Sequence, residues 1–409
     1  MIVIADDITG AAEIAGIAFA RGAEVRLICG PVCGCDTATP QTGVTTVIAT
    51  DTRSMSEAEA IAETKRIASR SSLFTGEADS SLFTLHSSLF KKTDSALRGH
   101  VMAELTALME VTGYERCVYL PANPSKGRII RNGVYYIREV RGQRSEVRGQ
   151  RSEVKEVPLD ETAFSYDPEF PARTSILRER FPDAEKKGIL LPDAESEEDI
   201  RNVIATYHDG KTLFAGAADL FSGMMALECG QLNLTGGQFP CEVSASQEDS
   251  PPMRCDTLIL CGSTQSKPLE LGIPIAPMPR EIYDGSSDLS LWDTTVYEQE
   301  QHSLILTIPH TYRTGKEVAV HLRTMMAEMT KQLVTKHCPD RLVIEGGATA
   351  WATLQALGWT EFTITAQLAP GVVQMRAANG TLVTLKPGSY PWNAATIYGQ
   401  TATTTALPR

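Results

Sequence analysis

Long apolar runs, an excess of basic charge and the common nucleotide-binding fingerprints are all missing from this sequence of 409 residues. Without a run of about 18 apolar residues, an ordinary membrane-spanning helix is excluded. The net charge is −12, from 38 Lys and Arg against 50 Asp and Glu, so the long-range field repels nucleic acids and anionic membranes. Neither GxxxxGKS/T nor GxGxxG occurs, so the commonest ATP and NAD sites cannot be inferred.

Signals for disulfides, metals and export are also weak. The nine cysteines are an odd number scattered along the chain, which indicates reduced thiols rather than a disulfide framework. Cys29, Cys33 and Cys35 lie close in sequence, but no His or second Cys pair follows at zinc-site spacing, so we interpret them as core and loop residues. Met1 leads directly into a strand-like segment without a basic and apolar leader, so we expect a cytoplasmic protein.

The patterns that are present predict a two-domain α/β protein. The length exceeds what one hydrophobic core usually supports. Short β-branched runs alternate with helical patterns, which predicts mostly parallel sheets covered by helices. The Gly-, Ser-, Gln- and Pro-rich segment from Leu232 to Arg254 separates the predicted domains, 1–240 and 250–409, and we expect an active-site cleft between them.

The predicted elements come from hydrophobic periodicity. The strands are Ile2–Ala5, Val25–Cys29, Val44–Ala49, Leu85–Phe90, Val118–Leu120, Thr257–Cys261 and Leu342–Glu345. The helices are Ala11–Arg21, Ser56–Arg70, Glu317–His337 and Thr349–Leu357, and the helical spacing of Leu97, Val101, Leu105 and Leu108 predicts another.

Charged side chains follow four of the predicted strands. They are Asp6 and Asp7 in "ADDITGA", Arg53 in "ATDTR", Lys92, Asp94 and Arg98 in "KKTDSALRGH", and Lys126, Arg128 and Arg131 in "PANPSKGRIIR". Because the carboxyl ends of parallel strands lie on one edge of a sheet, we expect these side chains to converge. Cations and carboxylates together suit a small ligand that carries one acid group and several hydroxyls. The repulsion between Asp6 and Asp7 is expected to be relieved if one pairs with a cation such as Arg98 or Lys92 and the other meets substrate hydroxyls or Mg²⁺.

Each of these patterns also has a purely structural explanation. Asp6 or Asp7 could simply cap a helix, and Asp94 could cap one while pairing with Arg98 at i, i+4. The turn in "LVIEGGATA" could bind a phosphate at a helix N-terminus or be an ordinary tight turn. The repeated "EVRGQRS", at 139–145 and 146–152, is interpreted as a duplication in an exposed hairpin loop without function.

The motifs "ADDITGA", "ATDTRS", "KKTDSALRGH", "PANPSKGR", "CGSTQ", "EGGATA" and "LKPGSY", in this order, resemble the four-carbon acid sugar kinase family over essentially the whole chain. The resemblance implies a sugar-acid-binding N-terminal domain and a nucleotide-binding C-terminal domain. It also implies ATP-dependent phosphorylation of threonate, erythronate or 3-oxo-tetronate, on the terminal hydroxyl, with Mg²⁺ as in most phosphoryl transfers.

The resemblance also assigns residues. The implied substrate contacts are Asp7, Arg53, Lys92, Thr93, Asp94 and Ser95, to which the charge pattern adds Arg98. The implied ATP contacts are Ser263, Gly346, Gly347, Ala348, Thr349 and Gly388. Either Asp94 or Asp7 is expected to position or deprotonate the acceptor hydroxyl, and the sequence does not rank the two. No metal ligand is assigned.

Two departures from the family pattern lie in the nucleotide half. Ala348 stands where the family commonly has an acidic residue after two glycines, and "KPGSYPW" around Lys386 replaces a Lys-Ser-Gly-Asn-Phe-Gly pattern. They leave open an alternative, a non-catalytic or regulatory tetronate-binding protein. The expected partners are a sugar acid and ATP, without nucleic acid or membrane, and the oligomeric state is open, a homo-oligomer included.

Overall fold

The protein is described by a computed structural model that covers residues 1–30, 43–69, 89–141, 153–167, 169–233, 256–262, 272–297, 303–388 and 392. The chain divides into two compact units, Met1–Gly10 with Cys33–Gln238 and Ala11–Val32 with Phe239–Arg409. The interval between the predicted domains, 241–249, lies outside the described residues, as does most of the repeated heptapeptide. The domain limits and the predicted interdomain cleft therefore stay predictions.

The elements follow in chain order. The strands are β1 Ile2–Ala5, β2 Glu24–Cys29, β3 Val44–Ala49, β4 Leu89–Lys92, β5 Arg116–Leu120, β6 Arg128–Arg131, β7 Val134–Arg141, β8 Glu153–Pro158, β9 Ile189–Leu190, β10 Thr212–Gly216, β11 Thr257–Cys261, β12 Ile275–Pro277, β13 Ser303–Thr307, β14 Arg341–Glu345, β15 Glu361–Ala369, β16 Val372–Ala377 and β17 Leu382–Lys386. The α-helices are α1 Ile8–Ala20, α2 Glu57–Ala68, α3 Val101–Thr112, α4 Leu177–Arg180, α5 Glu197–Tyr207, α6 Ala218–Asn233, α7 Arg280–Tyr283, α8 Lys316–His337 and α9 Gly347–Leu357.

The first unit contains a parallel sheet with strand order β3-β1-β4-β10-β5-β9. β1 and β3 are buried along their whole length, as expected for strands covered on both faces. Helices α2 and α3 pack against each other, and so do α5 and α6. A separate antiparallel sheet, β6-β7-β8, follows β5, and its β7–β8 hairpin brackets the repeated heptapeptide.

The second unit has a parallel half with strand order β12-β13-β11-β14-β17 and an antiparallel half in which β16, β15 and β2 follow β17. Ile259, Ile305 and Val343 form a buried apolar cluster on the parallel half. β2 belongs to this unit because it pairs with β15, a tertiary pairing that the local sequence around residues 24–29 does not indicate.

The predicted fold class, α/β with mostly parallel sheets, is confirmed. The predicted strand at 85–90 begins at Leu89 within the described residues and continues to Lys92. The antiparallel meander β15–β17 was not predicted. Within the described ranges, no helix combines the length and the apolar character needed to cross a bilayer.

Candidate functional site

The carboxyl ends of five parallel strands meet at one edge of the sheet in the first unit. In the strand register, Ala49, Ala5, Lys92, Gly216 and Leu120 lie side by side. The segments that follow four of these positions, Ala5, Ala49, Lys92 and Leu120, carry the charged residues that the sequence predicts at this edge. The predicted convergence of the strand ends is therefore present.

Arg53 is the cation around which this edge is organised. Its Nε and Nη2 donate to Asp6 Oδ2 at 3.1 and 2.9 Å, and its Nη1 donates to Asp7 Oδ2 at 3.1 Å. Nη2 also lies 3.8 Å from Asp94 Oδ1. Burial lowers the pKa of Arg53, but the three carboxylates raise it well above its ordinary value, so the guanidinium stays charged.

The predicted cation for the adjacent carboxylates is present in part, because Lys92 lowers the pKa of Asp7. Arg53 was not expected in this role, and it contacts both carboxylates. The physical reason is the turn after β3, which brings Arg53 N to 3.3 Å from Asp6 O, so the guanidinium begins beside both carboxylates.

Asp7 lies at the start of α1. Its Oδ1 accepts from Gly10 N at 2.8 Å, as a helix cap does, and its Oδ2 accepts from Thr9 Oγ1 at 2.5 Å. A Cβ on Gly10 would lie 2.6 Å from Asp7 Oδ1, so only glycine fits there without displacing the carboxylate. Burial raises the pKa of Asp7, but Arg53 and Lys92 lower it below its ordinary value. Capping and ion pairing therefore occur on the same side chain.

Asp6 was not assigned a role from the sequence, although it is the more buried of the two, with 2% exposure. Its Oδ1 is buried without a hydrogen-bond partner among the described residues. Burial raises the pKa of Asp6, and Arg53 offsets only part of that effect. Asp6 thus holds Arg53 through one carboxylate oxygen only.

The segment between β4 and α3 is a turn rather than the start of a helix. Leu97 has φ of +62° and Gly99 has φ of +96°, both in the left-handed region that a right-handed helix cannot include. Helix α3 therefore begins at Val101, and the helical spacing that extended the prediction back to Leu97 was wrong. Such backbone conformations in a non-glycine residue are costly and are found often at functional sites.

Asp94 is fixed inside this turn. Its Oδ2 accepts from Ala96 N and from Arg98 Nε, both at 2.9 Å, and its Oδ1 accepts from Arg98 Nη2 at 3.0 Å. Burial raises the pKa of Asp94, but Arg53 and Arg98 hold it far below its ordinary value. The i, i+4 pair considered as a structural alternative is present, and it caps a turn instead of a helix.

Besides Asp94, Arg98 contacts two residues of the segment that follows β8, Phe164 and Asp167. Its Nη1 lies 3.5 Å from Asp167 Oδ2, and its guanidinium lies 5.8 Å from the centre of the Phe164 ring. Neither Phe164 nor Asp167 was predicted to belong to the site. No motif marks them, since they come from a loop about seventy residues away in sequence.

Ser95 is held from two sides. Its hydroxyl accepts from Arg128 Nη1, and its carbonyl accepts from the Tyr135 hydroxyl. Of the three cations predicted in the loop after β5, Arg128 contacts this turn. Arg131 instead pairs with Glu156 at 2.8 Å and with Glu195 at 2.5 Å.

Lys92 and Thr93 join the strand end to the turn. Lys92 is 4% exposed, its Nζ donates to Thr93 O at 3.0 Å, and its charge lowers the pKa of both Asp7 and Asp94. Thr93 N donates to Gly216 O at 3.0 Å. Thr93 Oγ1 is buried and, among the described residues, has no hydrogen-bond partner.

A second buried ion pair lies beneath this edge. Lys91 Nζ and Glu104 Oε2 are 2.5 Å apart, with both side chains 1% exposed. The same oxygen accepts from Thr52 Oγ1 at 2.8 Å, one residue before Arg53. The sequence contained a usable signal, because adjacent Lys91 and Lys92 in a strand point to opposite faces and one must face the helix layer.

The predicted nucleotide residues lie mostly in the second unit's turn between β14 and α9. Gly346 has φ of +92° and Gly347 begins the helix. Ala348 is exposed on the first helical turn, and Thr349 is 5% exposed. A Cβ on Gly262 would lie 2.1 Å from Thr349 Oγ1, so the residue that follows β11 lies close against the first turn of α9. Ser263 lies outside the described residues.

Lys386 ends β17 beside that turn. In the register, Cys261, Glu345 and Lys386 lie side by side. Lys386 Nζ lies 2.6 Å from Glu345 Oε1, with both side chains fully buried, and 4.5 Å from the centre of the Trp392 ring. Gly388, the last predicted ATP contact, is half-buried two residues later. The residues Gly346–Thr349 and Lys386 are thus neighbours, since Gly346 N donates to Lys386 O at 2.9 Å.

Metal binding by the protein alone is not indicated in the described part of the chain, where no group of three His, Cys, Asp or Glu side chains could hold an ion. Mg²⁺ in phosphoryl transfer needs only one or two carboxylates besides the phosphates. The unpartnered Asp6 Oδ1 has the chemistry of such a ligand, so the residues present are compatible with Mg²⁺ that arrives with a nucleotide.

Two family models match successive parts of the chain. A sugar-binding N-terminal domain model matches residues 1–184, and a nucleotide-binding C-terminal domain model matches residues 288–390. The 3-oxo-tetronate kinase of Brucella melitensis biotype 1 is 25% identical over 427 residues, which covers 95% of this chain and 92% of that protein.

Two solved structures share the fold. One is a Haemophilus influenzae protein from a family of unknown function, with a TM-score of 0.61, and the other is a Salmonella typhimurium LT2 protein with a provisional tRNA synthase label, with a TM-score of 0.62. Each is 18% identical and covers 95% of this chain and 96% of its own, so these likenesses concern the fold alone. With both domain models in order and the motifs placed at the strand ends, the chain belongs to the four-carbon acid sugar kinase family, a family of phosphotransferases with an alcohol group as acceptor.

Proposed function

We propose that this protein is an ATP-dependent kinase that phosphorylates the terminal hydroxyl of a four-carbon sugar acid, namely threonate, erythronate or 3-oxo-tetronate. The observation that carries the proposal is the contact of Arg53 with Asp6 and Asp7. Asp94 Oδ1 also lies 3.8 Å from Arg53 Nη2. The segments after β1, β3 and β4 thus supply a cation and carboxylates at one place, and Arg128 after β5 joins them through the Ser95 hydroxyl. The named Brucella relative supports the same substrate class.

The carboxylates of Asp7 and Asp94 suit the binding of hydroxyls better than proton removal. Both have a pKa below the ordinary value because arginines pair with them, and a general base works best with a pKa near the operating pH. We therefore propose that Asp94 or Asp7 orients the acceptor hydroxyl toward the γ-phosphate. In the transfer, the hydroxyl oxygen bonds to the γ-phosphorus, the bond to ADP breaks, and the hydroxyl proton is released.

The nucleotide role is proposed for Gly346–Thr349, with Ser263 and Gly388. The positive φ of Gly346 opens the turn, and the first N–H groups of α9 lack helical acceptors, which suits a phosphate. Mg²⁺, when bound with the nucleotide, would neutralise charge on the phosphates. A cytoplasmic location is proposed with the same reaction, and the free buried thiols of Cys29 and Cys117 are compatible with it.

A coupled ATP-consumption assay with a panel of tetronates tests this function. We expect at least one tetronate to stimulate turnover, on the order of 1–100 s⁻¹ for a kinase, and only with Mg²⁺ present. Calorimetric titration of the same compounds without nucleotide is the companion measurement. Tetronate binding without turnover would reject the kinase in favour of the regulatory tetronate-binding protein. The exposed Ala348 and the buried Lys386–Glu345 pair in the nucleotide half would then be the features that fit a loss of phosphotransfer.

A further inference from the structure

The arginines assigned to the substrate are already engaged by carboxylates of the protein. Arg53 uses all three side-chain nitrogens on Asp6 and Asp7. Arg98 uses Nε and Nη2 on Asp94, and its Nη1 faces Asp167 at 3.5 Å. An incoming acid group would have to displace a protein carboxylate to gain a two-pronged contact with either one.

Arg128 is bound differently. Its Nη1 donates to the Ser95 hydroxyl, and its guanidinium lies 5.6 Å from the centre of the Phe164 ring. Among the described residues, no carboxylate lies within ion-pairing distance of it. A half-buried guanidinium with a neutral partner retains N–H groups for an anion, and arginine matches the two oxygens of a carboxylate.

The position of Arg128 is set by the backbone and by the turn. Arg128 N donates to Asn123 O at 3.1 Å, and Asn123 N donates back to Arg128 O at 2.7 Å, which fixes the start of β6. Its side-chain partner Ser95 follows Asp94 directly, and the Tyr135 hydroxyl holds the Ser95 carbonyl. The guanidinium is therefore preorganised one residue away from the carboxylate proposed to orient the acceptor hydroxyl.

We propose that Arg128, held by Ser95, binds the carboxylate of the sugar acid and thereby selects acids over neutral polyols. This inference rests on the proposed function, since it deepens the account of the same acceptor site. The acid group binds to Arg128 at one end of the four-carbon chain, while the hydroxyls face Asp94 and Asp7. Arg53 and Arg98 then serve to hold those carboxylates in place.

The test measures the dissociation constants of a tetronate and of the matching four-carbon polyol, in which CH₂OH replaces the carboxylate. The variants are Arg128→Gln, Arg128→Lys and the control Arg131→Gln, which removes a neighbouring arginine that pairs with Glu156 and Glu195. Arg128→Gln should weaken tetronate binding roughly 10- to 100-fold, since hydrogen bonds to a charged group are lost. Polyol binding and the KM for ATP should change less than twofold.

Arg128→Lys should lie between wild type and Arg128→Gln, because it keeps the charge but not the fork, and it carries the test if Arg128→Gln fails to fold. Arg131→Gln should bind the tetronate as wild type does. The inference is overturned if Arg128→Gln binds the tetronate normally, or if acid and polyol weaken by the same factor. If the Arg128 inference is overturned but the wild-type protein turns over a tetronate, the proposed kinase function still holds. A wild-type protein that binds no tetronate overturns both the role of Arg128 and the kinase function.

Discussion

At the scale of single residues, the adjacent carboxylates Asp6 and Asp7 are tolerated because the half-buried Arg53 contacts both and Lys92 adds its charge near Asp7. Arg53 reaches Asp6 and Asp7 at 2.9 and 3.1 Å, and Asp94 at 3.8 Å. A guanidinium can do this because its donors fan out in a plane, which a lysine ammonium does not offer. Cation and carboxylates thus depend on each other, and removing any one leaves a buried charge without its full set of partners.

Asp94→Asn separates catalysis from structure at this scale. Asparagine retains an oxygen for Ala96 N but loses the charge that attracts Arg53 and Arg98. We expect kcat to fall on the order of 10²-fold or more, because the acceptor hydroxyl loses the carboxylate that orients it. The melting temperature, measured by circular dichroism beside the ATP-consumption assay, should also fall because Arg98 loses a partner, but Asp6 and Asp7 still neutralise Arg53, so the protein should stay folded in the assay.

Asp199→Asn is the matched control. Asp199 closes the capping box of α5 with Ser196 on the exposed surface, so its loss affects a helix start and no site residue. It should cost about 1 kcal/mol of stability and leave kcat unchanged. If Asp94→Asn reduced activity and stability to the same degree, Asp94 would be a structural cap, as the sequence allowed.

At the scale of elements, the pair Lys91–Glu104 ties strand β4 to helix α3 beneath the turn that carries Asp94. Both side chains are 1% exposed, and Thr52 and Thr64 also donate to Glu104 Oε2, at 2.8 and 3.4 Å. The carboxylate therefore joins three elements. Removing one partner of this pair should cost more stability than removing one partner of a surface pair, because the remaining buried charge cannot return to water.

A double-mutant cycle tests this link. Lys91→Met should destabilise the first unit by roughly 3–5 kcal/mol, because Glu104 would be left as an unpaired buried charge. Lys91→Met with Glu104→Leu should recover most of that loss, since the apolar pair packs without a charge. The surface pair Lys211–Glu115, about 60% exposed on each side, supplies the contrast, and Lys211→Met should cost less than about 1 kcal/mol.

Urea unfolding followed by far-UV circular dichroism gives the free energies of unfolding for this cycle. A double variant as unstable as Lys91→Met would show that the cost comes from lost packing or lost threonine contacts, not from an unpaired carboxylate.

At the scale of the whole molecule, the tryptophans and the carboxylates of the candidate site lie in different units. All four tryptophans, at positions 292, 351, 359 and 392, belong to the second unit. Asp6, Asp7 and Asp94 belong to the first. Tryptophan fluorescence therefore follows the second unit, while circular dichroism follows both, so acid effects on the first unit can be recognised by difference.

The pH dependence follows from the signs of the pKa shifts. Asp7 and Asp94 have lowered pKa values in the fold, so each contributes stability that is present above the unfolded value near 3.9 and is lost as pH falls further. Asp6 has a raised pKa, so its protonation relieves a cost at pH values above about 4 and adds no slope below that. Asp7 and Asp94 therefore predict a loss of stability of the first unit below about pH 4.

Urea titrations at pH 5, 4 and 3, read by both signals, check this prediction. The unfolding component absent from tryptophan fluorescence should move to lower urea as pH falls. In Asp94→Asn its slope should be smaller by up to about 1.4 kcal/mol per pH unit, the contribution of one titrating group. An unchanged slope would mean that Asp94 does not hold its lowered pKa in the folded protein.

Much of the fold could be predicted because hydrophobic periodicity is local. The strands Ile2–Ala5, Val44–Ala49 and Thr257–Cys261 begin and end where the sequence places them. The long helix at Lys316–His337 starts one residue earlier than predicted. The pairing of β2 with β15 was beyond prediction, since strand partners hundreds of residues apart leave no periodic signal. The meander β15–β17 is local in sequence, with a short turn between β15 and β16, and the sequence analysis missed it.

The sequence by itself determined the chemistry: which strand ends carry carboxylates and cations, and to which family the motifs belong. Those properties lie in contiguous residues, and contiguous residues are all that a pattern contains. Only the tertiary structure decided the pairing, namely that Arg53 serves Asp6 and Asp7, that Arg98 is shared with Asp167, and that Arg128 meets Ser95. Partners of this kind are set by the strand register and by left-handed turns such as that at Leu97, which bring together residues that are distant in sequence.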